Sequence, residues 1–300
     1  MSTNIHIHQR STSRLYNRTS ICSRLTDHLT FCLQAGALFA TGILNTGVRT
    51  EADAALALLG EHTENKSVPL KTSAIMGLGL AYAGSHREDI LPFLLPHVAD
   101  DAATMEISSL AALALGFIFV GSENGEVTGT ILQTFMEKFD REEDRSLDER
   151  WARFMALGLG LLYLGESNTR LADWRIFMRG TGLQDASDAT IETLKAIDHP
   201  IAKTAQIMVE ACAYAGTGNV LKIQAMLHHC DEHINPAGDK DKEKETTDDN
   251  KDNEKKDESK EEPTRDDTFQ AFAVLAVSLI AMGEDIGAEM SLRQFNHLVC

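Results

Sequence analysis

The stretch IMGLGLAYAGSHRED, residues 75–89, decides the fold, because glycines stand inside its apolar run and another glycine ends it. Gly77 and Gly79 interrupt the run, and Gly84 precedes the polar segment. Glycine inside a helix costs about 1 kcal/mol relative to alanine, so it needs a compensating gain such as close backbone approach. A nucleotide-binding loop would need a further glycine or a GK[ST] sequence after a strand, and neither is present here. We therefore predict a helix packed closely on its neighbours.

The pattern recurs along the chain at a nearly fixed period. Each copy is a run of small and apolar residues that ends in a glycine and is followed by a second apolar run. The anchor glycines are Gly47, Gly84, Gly121, Gly165, Gly216 and Gly283, at spacings of 37, 37, 44, 51 and 67 residues. Two helices in roughly 35 to 40 residues are typical of an α-solenoid. We predict an all-α fold of helix pairs, with the anchor glycine as a left-handed cap of the first helix in each pair.

The interior glycines repeat as well. Gly77 and Gly79 have counterparts in Gly158 and Gly160, within the run FMALGLGLLYLG at 154–165. A feature that returns at the solenoid period indicates packing rather than chemistry. We therefore assign these four glycines, together with the six anchors, a structural role.

Two segments account for the widest spacings. Residues 238–267 have no apolar periodicity and are dominated by Asp, Glu and Lys, which predicts a disordered insertion within a repeat. Residues 169–184 are either an insertion particular to this chain or a short extra helix packed on the outside. The expected organisation is a disordered segment at 1–32, repeats at 33–237 with the atypical insertion, the acidic tract at 238–267, and a continuing repeat at 268–300.

Composition narrows the classes of function. The formal net charge of -17 argues against nucleic-acid binding, which needs clustered Lys and Arg. The chain has five cysteines without a CxxC pair, and no apolar signal region opens it, which predicts reduced thiols in an intracellular protein. The longest apolar stretch, at 154–165, is shorter than the roughly 20 residues of a membrane helix, so we expect no membrane partner.

We expect no enzyme, cofactor or metal. The sequence contains no GxSxG, no HExxH and no Cys–His pattern in a catalytic context. HHCDEH at 228–233 is the one dense cluster of metal-ligating residue types, and His229 and His233 could share a helix face. Without a further Cys or His pair at zinc spacing, a helix end that carries histidines is the favoured interpretation.

The repeats carry a resemblance to a known family. GLGLAYAGSHREDILPFLLP, FIFVGSENGEVTGTILQTFMEKF, CAYAGTGNVLKIQAMLHHC and LIAMGEDIGAEMSLRQFNHL resemble the proteasome/cyclosome repeats of the largest non-ATPase subunits in the base of the 26S proteasome regulatory particle. The resemblance covers about residues 33–168 and 185–300. Residues 1–32 lie outside it, and the chain stops at Cys300 inside a repeat, so we expect a fragment or a truncated isoform of a longer protein.

The resemblance implies a scaffold and a receptor. Such repeats build a toroid, of which this chain would form an arc, beside the ring of AAA ATPase subunits in cytoplasm and nucleus. The family docks ubiquitin, the ubiquitin-like domains of shuttle factors and a deubiquitinase. The alternative is a truncated structural repeat module without receptor function.

The resemblance also places a receptor site on the helix after Gly121. The family's acidic contacts match Glu126, Gln133 and Glu137. With Thr130 these positions are spaced i, i+4, i+7 and i+11, which is one helical stripe. The opposite side should pack inward through Ile131, Leu132, Phe135 and Phe139. On the sequence alone, an ordinary solvated face is the favoured explanation of the acidic stripe, and it is the resemblance that turns the preference toward a binding site.

Overall fold

The computed structural model describes residues 30–47, 53–100, 102–139, 149–165, 186–197, 199–234 and 268–299. The predictions for most of the N-terminal segment at 1–32, for the insertion at 169–184 and for the acidic tract at 238–267 lie outside the described residues. The chain forms two compact units. The first ends at Leu162 and the second begins at Tyr163.

The described residues form α-helices and no strands. The helices are α1 (30–44), α2 (Ala54–Gly60), α3 (Val68–Ala81), α4 (Leu91–Ala99), α5 (Met105–Ile118), α6 (Gly125–Phe139), α7 (Glu149–Leu162), α8 (Ala186–Lys195), α9 (Pro200–Ala213), α10 (Val220–Ile234), α11 (Thr268–Ala281) and α12 (Asp285–Val299). Short 3-10 turns at Glu61–Glu64 and Glu88–Ile90 follow α2 and precede α4.

The helices alternate between two roles. The odd-numbered helices are the small-apolar runs, here called A helices, and the even-numbered helices that follow them are called B helices. In the first unit α5 lies between α3 and α7, and α4 packs on α6. In the second unit α9 packs on α11, and α10 contacts α12. Successive pairs thus stack A on A and B on B, which confirms the predicted all-α solenoid of helix pairs.

Burial explains why the A helices are apolar around most of their circumference. In α5 nearly every side chain from Met105 to Ile118 is buried, because α3 and α7 cover two sides and α4 covers a third. A helix that neighbours cover on several sides exposes little surface to water, so few of its positions require polar side chains. In α6, by contrast, a buried stripe alternates with exposed positions.

Neighbouring A helices touch at small residues. A Cβ atom added to Gly79 would lie 2.7 Å from the Cα of Ala114, and one added to Gly116 would lie 2.5 Å from the carbonyl oxygen of Gly158. Real Cβ atoms do not approach backbone this closely, so the helices cross at a distance that only glycine allows. The crossing pairs are Gly42 with Gly77, Gly79 with Ala114, and Gly116 with Gly158.

Each A helix ends in a glycine with a left-handed backbone. The φ angles of the six anchor glycines lie between 66° and 88°, a region that a side chain with a Cβ atom adopts only with strain. This conformation ends the helix as a left-handed cap and redirects the chain toward the B helix.

Backbone hydrogen bonds join the cap of one repeat to the A helix of the next. The amide of Gly84 donates to the carbonyl of Phe117 at 2.9 Å, and that of Gly121 donates to Leu161 at 3.0 Å. In the second unit the same bond runs from Gly165 to Cys212 and from Gly216 to Leu279, each at 3.0 Å. We call these bonds rungs.

A second rung forms two residues after the cap. It joins the amide of His86 to the carbonyl of Ile118 at 3.1 Å, and that of Glu123 to Leu162 at 3.0 Å. His86 and Glu123 both have φ 54°, which is unusual for residues other than glycine. The rungs satisfy carbonyls at the helix end that would otherwise lack a partner, so they offset that strain.

Candidate functional site

The predicted receptor helix, α6, begins at an asparagine cap. The side-chain oxygen of Asn124 accepts hydrogen bonds from the amides of Glu126 at 3.0 Å and Val127 at 3.1 Å. Asparagine is among the best residues at this position because it satisfies amides that have no partner within the helix. The cap fixes where α6 starts and places Glu126 in its first turn, where a carboxylate is favoured by the helix dipole.

One side of α6 anchors it to the protein. Val127 and Ile131 are fully buried and Phe135 nearly so, which agrees with the inward side predicted from the sequence. Leu132 is half-buried, and the side chain of Phe139 lies outside the described residues. The spacing of the buried residues leaves the other side of the helix free for contact with a partner.

The four predicted site residues lie along that outer side. Glu126 and Gln133 are exposed, whereas Thr130 and Glu137 are half-buried. The hydroxyl of Thr130 donates to the carbonyl of Glu126 at 2.9 Å, and the amide of Gln133 donates to a carboxylate oxygen of Glu137 at 2.7 Å. Since a helix rises 1.5 Å per residue, the stripe is about 16 Å long.

An apolar groove adjoins the first half of this stripe, where α4 packs on α6. Its volume is about 290 Å³. The groove is lined by Leu91, Pro92, Leu95, Pro96, Ala99, Glu126 and Thr130. Two of the four predicted site residues therefore border an apolar surface, and Gln133 and Glu137 lie farther along α6.

The part that α4 plays in this groove was not among the predictions. Its lining residues fall at 91, 92, 95, 96 and 99, a helical stripe that could have been found in the sequence. What the stripe does not reveal is that it faces α6, since that depends on how successive B helices stack.

The inner side of α4 carries a buried histidine. His97 is 4% exposed, and its Nε2 has no hydrogen-bond partner within the described part of the chain, although a carboxylate oxygen of Glu64 lies 3.5 Å away. Burial and the nearby charge of Lys71 lower the pKa of His97, and the carboxylates of Glu64 and Asp100 oppose this shift only in part. Protonation of His97 is therefore less favourable in the folded protein than in the unfolded chain.

We expect this histidine to weaken the fold in mild acid. As the pH falls below the unfolded-state pKa of about 6.5, the unfolded chain takes up a proton that folded His97 resists, so the free energy of unfolding decreases. The effect is absent above that pH and is complete below the folded-state pKa. Urea unfolding of the wild type and His97→Gln across this range measures it. An equal decrease in both proteins would contradict the prediction.

A polar cluster at the turn after α3 has strongly shifted groups. Arg87 binds Asp53 at 2.7 Å and Asp89 at 2.9 Å, and its guanidinium lies 5.0 Å from the ring centroid of Tyr82. The hydrogen bond from Arg87, followed by that from Tyr82, lowers the pKa of Asp53. Burial, together with the hydrogen bond to Asp53, raises the pKa of Tyr82 to about 12.

This cluster has a structural explanation. The Tyr82 hydroxyl also accepts a hydrogen bond from the amide of Leu56 at 3.0 Å, so it ties the end of α3 to the start of α2. Tyr163, also two residues before its cap glycine, bonds to the hydroxyl of Thr190 in α8 at 2.7 Å, although α8 follows Tyr163 in the chain whereas α2 precedes Tyr82. In both places a tyrosine hydroxyl ties the turn before a cap to a B helix, which supports a structural role rather than proton transfer.

The histidine-rich segment lies on a B helix, and the side chains of residues 230–233 fall outside the described ones. The segment at 228–233 lies within α10, and the described side chains bring no three His, Cys, Asp or Glu residues together as a metal ion would require. Among the helices that the structure describes, none is long and apolar enough to cross a membrane.

Comparison with known proteins identifies relatives along most of the chain. The proteasome/cyclosome repeat family matches residues 73–107. The chain is 44% identical over 269 residues to the 26S proteasome regulatory subunit rpn-1 of Neurospora crassa, a match that covers 89% of this chain and 25% of the relative. It is 48% identical over 266 residues to the subunit rpn1 of Schizosaccharomyces pombe, with the same coverage of both chains.

A third relative comes from a different lineage. The 26S proteasome non-ATPase regulatory subunit 2 of Dictyostelium discoideum is 40% identical over 265 residues, which is 88% of this chain and 24% of that protein. The chain thus spans about a quarter of the length of the curated relatives that it matches. These relatives are named as regulatory subunits.

Proposed function

Because the chain belongs to the proteasome/cyclosome repeat family of 26S proteasome regulatory subunits, we propose that it is a non-catalytic scaffold in the base of the regulatory particle. Stacked helix pairs support this role, since a solenoid offers long surfaces on which several partners bind side by side. We further propose the AAA ATPase ring as its neighbour in the particle, and cytoplasm and nucleus as its locations.

The outer side of α6 is proposed as a docking site for ubiquitin. The observation that carries this proposal is the apolar groove between α4 and α6, which lies directly beside Glu126 and Thr130. Ubiquitin presents an apolar patch surrounded by basic side chains. An aliphatic groove with the carboxylate of Glu126 at its border matches both properties, since apolar contact supplies affinity and opposite charge fixes orientation.

We propose the same surface on α6 as the binding site of two further partners. Ubiquitin-like domains of shuttle factors share the ubiquitin fold and a comparable patch, so we propose that they compete for this surface. A deubiquitinase that carries such a domain would be recruited in the same way. The truncated repeat module without receptor function is the competing proposal, and it predicts no binding at α6.

Gln133 limits how freely a carboxylate of the proposed site can bind a partner. Its amide donates to Glu137 at 2.7 Å, so part of that carboxylate's hydrogen-bonding capacity is used within the helix. A basic side chain of a partner must share or displace this bond. Glu126, which is exposed at the groove, is therefore the stronger of the two charged contacts.

The test is titration of isotope-labelled ubiquitin with the full chain, followed by NMR. We expect shifts confined to the apolar patch of ubiquitin and a dissociation constant on the order of 100 µM, since such a patch buries little area. The double variant Glu126→Arg and Glu137→Arg places like charges against the partner. It should raise the dissociation constant at least about tenfold.

The control makes the same change of charge elsewhere. Asp285→Arg with Glu289→Arg reverses two exposed carboxylates on α12, another B helix, and should leave the affinity within about twofold. Binding that survives reversal on α6, or that falls equally in the control, would rule out the site. No binding by the wild type would favour the module without receptor function.

A further inference from the structure

The side of α6 that faces α4 changes in character along its length. At Glu126 and Thr130 it borders the apolar groove. At Thr134 and Lys138, the next two positions at intervals of four residues, it closes on α4, and these two side chains are only 3% and 6% exposed. On α6 the lining of the groove thus gives way, within one helical turn, to two buried polar side chains.

Both of these side chains donate hydrogen bonds to the backbone at the end of α4. The hydroxyl of Thr134 lies 3.2 Å from the carbonyl oxygen of Val98, and it shares its proton with the carbonyl of Thr130, which lies 2.9 Å away in the same helix. The ammonium group of Lys138 donates to the carbonyl of Ala103 at 3.3 Å, in the turn that follows α4. We call the bonds to Val98 and Ala103 the clasp.

The second half of α4 needs support from outside the helix. The helix has nine residues, whereas isolated helices shorter than about 12 residues are marginal in water. Pro96 has no amide hydrogen, so the carbonyl of Pro92 lacks its usual partner four residues on. Asp100 follows the helix with an extended backbone rather than a left-handed cap, so the last carbonyls of α4 need donors from elsewhere. The clasp supplies such a donor to Val98.

The clasp holds the part of α4 that completes the groove. Leu95, Pro96 and Ala99 line the groove from this second half of the helix, and Val98, which accepts the bond from Thr134, stands among them in the chain. Apolar contacts tolerate a small sliding movement of one helix on another. Buried polar groups do not, because any other arrangement leaves a donor or an acceptor without a partner. The clasp therefore fixes where these three residues lie relative to α6.

We propose that Thr134 and Lys138 are positioning residues of the docking groove, an inference that rests on the function proposed for α6. Both side chains are buried and stand outside the groove lining, so they act through α4 rather than by contact with the partner. Without the clasp, the end of α4 occupies the position that the partner binds for only a fraction of the time. The dissociation constant rises in inverse proportion to that fraction.

Thr134→Val and Lys138→Met test the clasp, because each removes a donor and keeps most of the side-chain volume. Titration of isotope-labelled ubiquitin with the full chain should give a dissociation constant that each variant raises about fivefold, the worth of one net hydrogen bond, and that the double variant raises by roughly tenfold or more. Hydrogen exchange measured on the peptide that contains residues 91–99 should be faster in each variant than in the wild type. Thr134→Ser keeps the hydroxyl and should bind ubiquitin within about twofold of the wild type.

The matched control is Thr72→Val in α3. Thr72 is 8% exposed and is therefore buried like Thr134, but its hydroxyl donates within its own helix, to the carbonyl of Val68 at 2.9 Å. This variant should leave the affinity for ubiquitin unchanged, whatever its effect on the free energy of unfolding. Urea unfolding of every variant establishes that the titrated protein is folded, so a change in affinity reports on the groove and not on the folded fraction.

The possible outcomes separate the positioning role from the docking function itself. If the wild type binds ubiquitin and both Thr134→Val and Lys138→Met bind it equally well, the positioning role is overturned and the docking site stands. A loss of affinity that Thr134→Ser shows as well, or that Thr72→Val shares, would also overturn the positioning role, as would unchanged hydrogen exchange in α4. Failure of the wild type to bind ubiquitin would overturn both the docking site and the role of the clasp.

Discussion

Replacement of Gly116 by alanine is expected to destabilise the first unit by about 2 kcal/mol. The new Cβ would lie 2.5 Å from the carbonyl oxygen of Gly158 and 2.8 Å from its Cα, so α5 and α7 must separate. Overpacking of a tight core costs about 1–3 kcal/mol, and here the clash is with backbone, which cannot rotate away as a side chain can. The higher helix propensity of alanine, worth about 1 kcal/mol, offsets only part of this cost. Urea unfolding followed by circular dichroism gives the free energy.

The matched control is Gly129→Ala in α6. A Cβ at Gly129 meets nothing within 4 Å, and the residue is exposed. The same chemical change should therefore stabilise the protein by up to about 1 kcal/mol, since only helix propensity acts. If both variants were equally stable, close approach of α5 and α7 would not be the reason for glycine at 116.

Replacement of Phe119 by alanine is the second change that we expect to lower the free energy of unfolding strongly. Phe119 is 2% exposed at the end of α5, and its ring stacks on that of His86 with centroids 6.5 Å apart. Replacing a buried phenylalanine with alanine costs about 3–5 kcal/mol, because apolar contacts are lost and a cavity remains. Loss of the ring should also loosen the left-handed turn at His86. Urea unfolding and amide hydrogen exchange of His86 measure the two consequences.

Phe154→Ala is the comparison for that variant. Phe154 lies on α7, is 40% exposed and contacts Trp151 with ring centroids 5.8 Å apart. Because water already reaches much of its ring, truncation should cost about 1 kcal/mol and leave no closed cavity. A cost for Phe119→Ala as small as that for Phe154→Ala would show that the turn is not supported by its aromatic ring.

The repeat architecture could be predicted because it depends on local rules. The glycine after each small-apolar run predicts a left-handed cap, and the six anchors do have positive φ. The partner of each cap amide could not be predicted, since it belongs to the following repeat. Nor does the sequence suggest that His86 and Glu123 are left-handed, because Glu rarely adopts that conformation and His, although it does so more often than most residues, is still a minority case.

For the candidate site, too, the local features could be predicted from the sequence, and the contacts between helices could not. The periodicity of α6 indicates which side is outward, and burial of Ile131 and Phe135 agrees with it. The hydrogen bond from Gln133 to Glu137 is local but depends on rotamers, which spacing does not specify. The groove beside Glu126 depends on how α4 stacks against α6. The role of the four residues on α6, and the organisation outside the described ranges, remain predictions.

The rungs also explain how such a chain can change in length without losing its fold. Between the donor and the acceptor of a rung the sequence runs for 33 residues from Gly84 to Phe117 and for 63 from Gly216 to Leu279, yet both bonds measure 2.9–3.0 Å. Lengthening a connection costs little, because loop-closure entropy grows only slowly with length. Evolution can therefore insert segments between consecutive caps at little risk, whereas a single inserted residue between a cap and its second rung would break the alignment of both bonds.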